Sequence, residues 1–429
     1  MNADLLITNI GQLVTCASGG RPKRGSEMLD VGLIGNAAIA IKDGGFAGVG
    51  RADAVLSVWR SEEVIDVGGR VVCPGYVDPH THIVYAGDRL NEFELKIKGA
   101  DYLEILENGG GIISTVRKTR EASFELLIEQ TRDRLDKMLT CGTTTAEVKT
   151  GYGLDTETEL KMLQVIEELD RSHAVDLVPT FLAAHAVPPE FKGRTDEYVD
   201  RVCGEMLPKA WSWYQSSGFS ERQTPFFADV FCEKNAFDLL QTSRVFETAQ
   251  NLGFHVKAHV DQFTNLGGSA FAIEKRAVSI DHLDAISDIE IKELSISSTV
   301  GVVIPTENFN AGKTKFANAR RMIDAGCAIA VSTDYNPGSA PCPSMPMAMA
   351  IACRYQKLLP AEALNAATIN ASFAAGVGDL VGSIEVGKKA DLLIADAEDY
   401  RQLMYEFGGN QVTTVIKSGR VVIDERDRS

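Results

Sequence analysis

The chain has 429 residues, of which 45% are hydrophobic and 24% charged, so it can bury a large core without disulfides or a folding partner. Its 43 basic and 59 acidic residues give a net charge of -16, which opposes binding to nucleic acid and to anionic membranes. Eight cysteines at irregular spacings, without a C-x-x-C pair, argue against a zinc knuckle and a disulfide scaffold.

Short apolar runs separated by Gly and Asp, such as LLITNI, AAIAIKDG and GFAGVG, fill the N-terminal region, where helical periodicity is absent. They predict strands joined by tight turns. The C-terminal runs ADLLIAD and TTVIKSGRVVID have the same character. We therefore expect residues 1–70 and 370–429 to form one small β-sandwich domain built from both termini. No signal peptide or membrane-spanning segment is evident, and we expect a cytoplasmic protein.

The run VVCPGYVDPHTH at 71–82 predicts an apolar strand that ends in His80 and His82. Side chains two residues apart on a strand point to the same face, so both imidazoles can reach one metal ion. An isolated H-x-H is a weak signal, because surface and turn histidines share this spacing.

Two segments are long for ordinary connections. Residues 91–123, which include GGG at 109–111, predict a lid or substrate loop. Residues 210–227, rich in Trp and Ser, are interpreted as an irregular insertion.

Between residues 71 and 369, β-branched apolar runs alternate with amphipathic helical stretches. TTTAEVKT precedes a helix at which Thr156 and Glu159 predict a capping box. The further candidate strands are DLVPTFLAAHAV, ADVFCE, FHVKAHV, AVSIDHL, TVGVVIP and CAIAVSTDYNPG. The alternation predicts an α/β fold with a (β/α)₈ TIM-like barrel at 71–369. A doubly wound sheet is the alternative, but no Gly-rich phosphate fingerprint follows the first strand of this region.

Nearly every candidate strand ends in a polar residue. Among the seven histidines, His185, His259 and His282 also lie at such ends, and Asp334 closes the last strand in the same way. Taken singly, each histidine is more readily a core residue bonded to backbone. Their joint position on one barrel rim indicates a metal site, and imidazole nitrogens with one carboxylate oxygen suit Zn²⁺ or iron.

PGYVDPHTH, the strand-end histidines and STDYNPGS together resemble the amidohydrolase superfamily. Longer segments, including GYVDPHTHIVYAGDR, EVKTGYGLD, FLAAHAVP, VKAHVDQF and SIDHL, are similar to the imidazolonepropionase family, in register over most of residues 65–380. This resemblance implies a hydrolase acting on a cyclic amide, which opens 4-imidazolone-5-propanoate to N-formimino-L-glutamate in histidine degradation. It also implies a homodimer, to which the 210–227 segment could add or remove contacts.

The same resemblance implies site residues, residue by residue. The metal ligands would be His80, His82, His259 and Asp334, around one divalent ion, Zn²⁺ or Fe²⁺/Fe³⁺. The substrate contacts would be Arg89, Tyr152, His185, Gln262, Asn336, Gly338 and Ser339. Catalytic roles would fall to His282, Asp334 and Gln262, although some relatives carry Glu at the position of Gln262, which weakens the case that this residue moves a proton.

Two of these roles also have a physical basis. Arg89 offers a planar fork of donors that suits the propionate carboxylate of the substrate, whereas an Arg in isolation is more often solvated. Asn336 to Ser339 predict a turn whose backbone N–H groups could bind a carboxylate or ring oxygen, with a plain strand-exit turn as the alternative.

Many amidohydrolases hold two metals through a carboxylated lysine on a middle barrel strand. Lys149 is the strand-end lysine here, but it lies too early in the strand order to match, so we predict one metal.

Two rival functions remain open. A deaminase or another cyclic amidase of the same superfamily would share the H-x-H and strand-end residues, but a deaminase would be expected to carry Glu where Gln262 stands. A non-catalytic scaffold on a decayed barrel would have no need of an open metal coordination position. The expected partner is therefore a small anionic heterocyclic substrate, with neither nucleic acid nor membrane.

Overall fold

The computed structural model describes residues 1–98 and 110–425. Its strands fall in three groups along the chain. The first group is β1 Leu5–Val14, β2 Leu33–Lys42, β3 Gly45–Arg51, β4 Val64–Asp66 and β5 Val71–Pro74. The second is β6 Tyr76–Thr81, β7 Thr143–Lys149, β8 Asp176–Ala184, β9 Phe227–Cys232, β10 His255–Val260, β11 Ser279–His282, β12 Val300–Val303 and β13 Ile329–Val331. The third is β14 Leu392–Ala395, β15 Val412–Lys417 and β16 Arg420–Asp424.

The described α-helices mostly follow the strands of the second group. They are α1 Ala52–Val58, α2 Leu90–Ile97, α3 Ile112–Glu121, α4 Phe124–Thr140, α5 Thr156–Ser172, α6 Thr195–Arg201, α7 Leu207–Ser216, α8 Gly218–Glu221, α9 Leu239–Leu252, α10 Gly268–Glu274, α11 Asp288–Ile296, α12 Pro305–Asn310, α13 Ala319–Asp324, α14 Met345–Tyr355, α15 Pro360–Ala366, α16 Ile369–Ala374 and α17 Gln402–Tyr405. None of the helices within 1–98 and 110–425 is both long and apolar enough to cross a membrane.

Strands β6 to β13 form one parallel sheet of eight strands in consecutive order. The two end strands meet: Ser332 Oγ donates to the carbonyl oxygen of His80 at 2.8 Å, and the His82 amide donates to the carbonyl oxygen of Tyr335 at 3.0 Å. Nearly all residues of these strands are buried, as in Val300–Val303, because helices cover the outside and side chains fill the inside. The predicted (β/α)₈ barrel is confirmed.

Strands from both termini form the second sheet, in the order β16-β15-β14-β5-β1-β2-β3, with β4 paired to β1. Apolar side chains of these strands and the adjoining segments, among them Ile7, Ile39, Val72 and Leu392, make a core of their own. The expectation that the two termini build one β unit is confirmed, and its strands are hydrogen-bonded as one continuous sheet. The exact division into domains stays a prediction.

The run at 71–82 is two strands in two sheets and not the single strand that the sequence predicted. The break falls at Gly75, where a Cβ would lie 2.2 Å from Thr144 Oγ1. Glycine therefore lets the chain leave the terminal sheet and enter the barrel against β7.

Two further expectations were wrong. The N-terminal region contains a helix, α1, which packs its Val55 under β1 and β2. The segment at 210–227 is largely helical, since α7 and α8 occupy most of it, and Trp211 packs beside Gly253 and Phe254.

Candidate metal centre and active site

Three imidazoles converge at the carboxyl ends of β6 and β10. Nε2 of His82 lies 3.2 Å from Nε2 of His80 and 3.3 Å from Nε2 of His259, and all three side chains are buried. On the far side of two rings, Nδ1 of His80 lies 2.7 Å from Oδ2 of Asp281, and Nδ1 of His259 lies 3.0 Å from Oδ2 of Asp229. A carboxylate fixes the proton on Nδ1, so each Nε2 presents a lone pair. Imidazole Nε2 lone pairs that converge in this way can coordinate a cation.

Asp334 completes this group from the segment after β13. Its Oδ1 lies 3.6 Å from Nε2 of both His80 and His82. Burial raises the pKa of Asp334 to about 8, and the nearby His282 lowers it in part; a cation among the imidazoles would favour the ionised form. Three nitrogens and one hard oxygen suit Zn²⁺ or iron. The residues predicted from the sequence as ligands therefore do lie together.

A buried ionic layer lies behind the imidazoles. Lys149 Nζ donates to Glu147 Oε1 at 2.7 Å and to Asp229 Oδ2 at 2.8 Å, and lies 3.6 Å from Asp281 Oδ2. Lys257 Nζ lies 3.0 Å from the other oxygen of Glu147. Burial lowers the pKa of Lys149, but Asp229 and Glu147 raise it more, and the net shift is upward. A charged, fully paired ammonium is unsuited to becoming a carboxylated metal bridge, which supports a single-metal site.

A second group of polar side chains faces His282, at the end of β11. The Oε2 atom of Glu307 lies 3.3 Å from His282 Nδ1, an ion-pair distance, and accepts a hydrogen bond from Gln262 Nε2 at 2.9 Å. The ring of His282 lies with its centroid 5.3 Å from that of His80 and 5.2 Å from that of His259. His282 and Gln262, both predicted as site residues, are thus joined by Glu307, which the sequence analysis missed.

Arg89 lies next to Gly338, in the turn after β13. Its Nε donates to Glu92 Oε2 at 2.8 Å, and an added Cβ at Gly338 would lie 2.1 Å from its Nη1. A cleft of about 510 Å³ opens here, lined by both Arg89 and Glu92. Arg89 is therefore a held, half-buried cation in a cleft and not a freely solvated side chain. Residues 99–109 of the predicted lid segment lie outside the described residues.

Tyr152 and His185 form an aromatic wall. His185 stacks on His82 with ring centroids 4.9 Å apart, and Tyr152 lies 5.9 Å from His82 by the same measure. Burial lowers the pKa of His185 to about 4, and its Nδ1 lies 3.1 Å from the carbonyl oxygen of Gly151. His185 is thus neutral near pH 7, which suits stacking or hydrogen bonding with a heterocycle.

Glu159 holds the loop that carries Tyr152. The predicted capping box is wrong: Asp155 caps α5 by accepting from the Thr158 amide at 2.8 Å. The Glu159 carboxylate instead accepts from the amides of Gly153 and Leu154, each at 2.8 Å, and from that of Gly151. A buried backbone N–H group needs a hydrogen-bond acceptor. The Glu159 carboxylate therefore accepts from these three amides instead of capping α5.

The turn after Asp334 is organised by the Asn336 side chain. Its Nδ2 donates to the carbonyl oxygen of Asp334 at 2.7 Å, and its Oδ1 accepts from the amides of Gly338 and Ser339 at 2.8 Å each. The amides expected to be exposed donors are therefore already used within the turn. The Ser339 hydroxyl also belongs to this turn, since it accepts from Asn336 Nδ2 at 2.8 Å and donates to Asp334 Oδ2 at 3.5 Å.

Four of the thirteen described non-glycine residues with positive φ lie at the same rim. The non-glycine residues Leu154, Asp261, His282 and Asp334 have φ of 55°, 53°, 84° and 49°. Such conformations cost of order 1–3 kcal/mol each and cluster at functional sites.

The other two histidines lie elsewhere: His173 contacts Asp136 at the end of α5, and His255 is exposed at the amino end of β10.

The sequence carried a weak signal for the missed acidic residues. Asp229 and Asp281 are carboxylates inside predicted buried strands, where an unpaired charge is costly, so a nearby imidazole or ammonium partner was foreseeable. Glu307 follows β12 directly, in the position that a barrel uses for its site. Glu92 and Glu159 gave no such signal, because Glu92 lies in the segment predicted as a lid or substrate loop and Glu159 was interpreted as part of a capping box.

Comparison with known proteins identifies a matching family model and relatives of this chain. A family model described as "Amidohydrolase family" matches residues 71–422. Proteins named imidazolonepropionase from Chloroflexus aggregans and Herpetosiphon aurantiacus are 53% and 49% identical to this chain, each over 98% of it and over 98% and 97% of their own lengths.

Solved structures show the fold. An adenosine deaminase from Xanthomonas campestris with bound zinc aligns with a TM-score of 0.72 at 20% identity, covering 99% of this chain and 94% of that one. An E. coli guanine deaminase aligns with a TM-score of 0.70 at 16% identity and covers 98% of both chains. At these identities the two structures establish a common architecture and leave activity to other observations.

Proposed function

The chain belongs to the imidazolonepropionase family of the amidohydrolases, and from this premise we propose that it hydrolyses 4-imidazolone-5-propanoate to N-formimino-L-glutamate with one divalent ion held by His80, His82, His259 and Asp334. The observation that carries the metal assignment is the convergence of three imidazole Nε2 atoms, 3.2 and 3.3 Å apart, next to the Asp334 carboxylate.

The reaction adds one water molecule across a ring C–N bond. A C–O bond forms at the ring carbonyl carbon, the C–N bond breaks, and the proton released by water goes to the leaving nitrogen. When bound, the ion supplies Lewis acidity, which polarises the carbonyl and makes water more acidic. Zn²⁺ and iron both fit the donor set, and we propose one of these two.

We propose that His282 and Asp334 transfer the proton that water releases to the leaving nitrogen. Both are buried at the rim, and the pKa of His282 is raised because hydrogen bonding and charge from Glu307 outweigh the effect of burial, which lowers it. Gln262 is neutral, so its role would be to position the ring by its amide instead of moving a proton.

We propose that Arg89 binds the propionate carboxylate. Its guanidinium lies next to Gly338 in the turn after Asp334. Tyr152 and His185 would then contact the ring from the aromatic side. A charge-assisted fork contact of this kind discriminates substrates with a carboxylate arm from neutral bases.

We further propose cytoplasmic residence and a homodimer. All eight cysteines are free of disulfides, in keeping with a reducing compartment. Light scattering of the purified protein at several concentrations would test the dimer.

One assay tests the function. Loss of imidazolone absorbance is followed with metal-replete protein and 4-imidazolone-5-propanoate, beside a panel of adenine, guanine and cytosine derivatives assayed for ammonia release. We expect turnover of the imidazolone and no ammonia from the panel. Ammonia release from the panel without hydrolysis of the imidazolone would refute the proposal and indicate a deaminase.

A further inference from the structure

Glu307 occupies the first turn of α12, directly after the carboxyl end of β12, and its side chain is only 4% exposed. Both of its carboxylate oxygens are used. Oε1 accepts from Lys313 Nζ at 3.1 Å, and Oε2 lies between Gln262 Nε2 at 2.9 Å and His282 Nδ1 at 3.3 Å.

His282 depends on this contact more than a core histidine would. Its side chain is buried, and within residues 1–98 and 110–425 neither ring nitrogen makes a hydrogen bond, although Nδ1 lies 3.3 Å from Glu307 Oε2. The backbone at His282 has φ of 84°, a strained conformation that aims the ring toward the other imidazoles. Glu307 is therefore the group that determines which ring nitrogen carries the proton.

We infer that Glu307 is a positioning residue for the hydrolysis: its carboxylate fixes the tautomer and orientation of His282 and the rotamer of Gln262, so that both face the substrate. The inference rests on the proposed function. A charged carboxylate 3.3 Å from Nδ1 favours the proton on that nitrogen and leaves Nε2 as a proton acceptor, as acidic residues do for catalytic histidines in other enzymes.

The neighbouring residues do not supply this carboxylate. Gln262, three residues beyond His259, carries a neutral amide and is itself held by Glu307. Asp284 lies nearby, but Asn308 Nδ2 donates to its Oδ1. Burial raises the pKa of Glu307, yet His282 and Lys313 lower it to about 2, so this carboxylate is charged at neutral pH.

A second metal ion is the rival explanation for this cluster. His282, Asp284 and Glu307 each place one ligand atom within 4.8 Å of the others. The Lys313 ammonium on Oε1 and the Gln262 amide on Oε2 oppose that reading, because a cation would have to displace or repel both donors. Metal counting separates the two explanations.

The test compares Glu307→Gln, Glu307→Asp and Lys313→Met in the full chain, with kcat, KM and bound metal measured for each. Lys313→Met is the matched control, since it removes the partner of Oε1 and leaves the contacts of Oε2. We expect Glu307→Gln to lower kcat about 100-fold with KM changed less than about threefold, and to keep one metal per chain. The fall in kcat should be at least about fivefold smaller for Glu307→Asp than for Glu307→Gln. The kcat of Lys313→Met should stay within about threefold of the wild type.

Three results would overturn the inference: kcat of Glu307→Gln within about threefold of the wild type, loss of metal together with activity, or an equal fall in Lys313→Met. If Glu307→Gln does not fold, Glu307→Asp decides: the inference needs a reduced kcat at unchanged KM and metal content, and a kcat equal to the wild type ends it. A wild-type protein that leaves the imidazolone intact would instead refute the proposed function, so the two failures are distinct.

Discussion

Lys149 Nζ donates to Asp229 Oδ2 across 2.8 Å, so a buried ammonium on β7 neutralises the carboxylate that holds the imidazole of His259 on β10. Asp281, which holds His80, lies 3.6 Å from the same ammonium. One lysine thus supports two of the imidazoles at the metal centre. This arrangement makes Lys149 a structural cation beneath the site.

Lys149→Met should destabilise the protein strongly. Removing one partner of a buried ionic group leaves Glu147, Asp229 and Asp281 with too little positive charge, at a cost of about 3–5 kcal/mol in the free energy of unfolding. Urea denaturation measures this loss in the free energy of unfolding. Lys389→Met is the control, because Lys389 is 43% exposed and pairs with Asp176 at the surface, where the loss should be below about 1 kcal/mol. Equal losses in the two variants would contradict the role of Lys149.

Asp229→Asn should weaken metal binding while the chain still folds. The amide no longer favours the proton on Nδ1 of His259, and loss of such a partner lowers metal affinity about 10- to 100-fold. Competition with a chromogenic chelator measures the affinity. Asp176→Asn, at the opposite end of the barrel, should leave it unchanged, and unchanged affinity in Asp229→Asn would remove the role given to this carboxylate.

Arg89→Ala should raise KM for the imidazolone. A charged hydrogen bond to the propionate is worth about 1.5–3 kcal/mol, and that energy should appear chiefly in KM. Steady-state kinetics gives the answer, with Arg132→Ala as control, since Arg132 bonds to Ser172 at the surface. If KM stays as in the wild type, Arg89 does not bind the propionate.

Gly338→Ala should resemble Arg89→Ala. The added Cβ would lie 2.1 Å from Arg89 Nη1, so the guanidinium must move away from the substrate position. We expect KM to rise about tenfold or more with the fold retained, as judged by the melting temperature. Gly204→Ala is the control, because a Cβ there meets nothing within 4 Å. Wild-type KM in Gly338→Ala would show that Arg89 is not fixed by this contact.

Much of the site could be predicted because its residues follow strands of one kind. The barrel strands are apolar and largely buried, and His259, His282 and Asp334 lie at or just beyond the carboxyl ends of three of them. The pairing of the termini was also foreseeable from their shared strand and turn pattern. The break between β5 and β6 had one local signal, the dipeptide Pro74-Gly75, and the contact of Gly75 with Thr144 that requires it is visible only in the fold.

The contacts made by acidic side chains could not be predicted in the same way. Glu159 stands where a capping box expects a glutamate, but three buried amides near Tyr152 take its carboxylate. Glu307 meets His282 only through the tertiary fold, whereas Glu92 pairs with Arg89 three residues away, in a segment that was predicted as a loop. Such contacts depend on how neighbouring elements pack, and sequence spacing does not encode that distance.

Titration of the metal-free protein tests the central claim most directly. Zn²⁺ or Fe²⁺ is added in small steps, and imidazolone hydrolysis is measured beside bound metal per chain. If His80, His82, His259 and Asp334 hold one ion, activity should rise linearly and level off at one equivalent. Full activity without metal, or a break at two equivalents, would contradict the single-ion site.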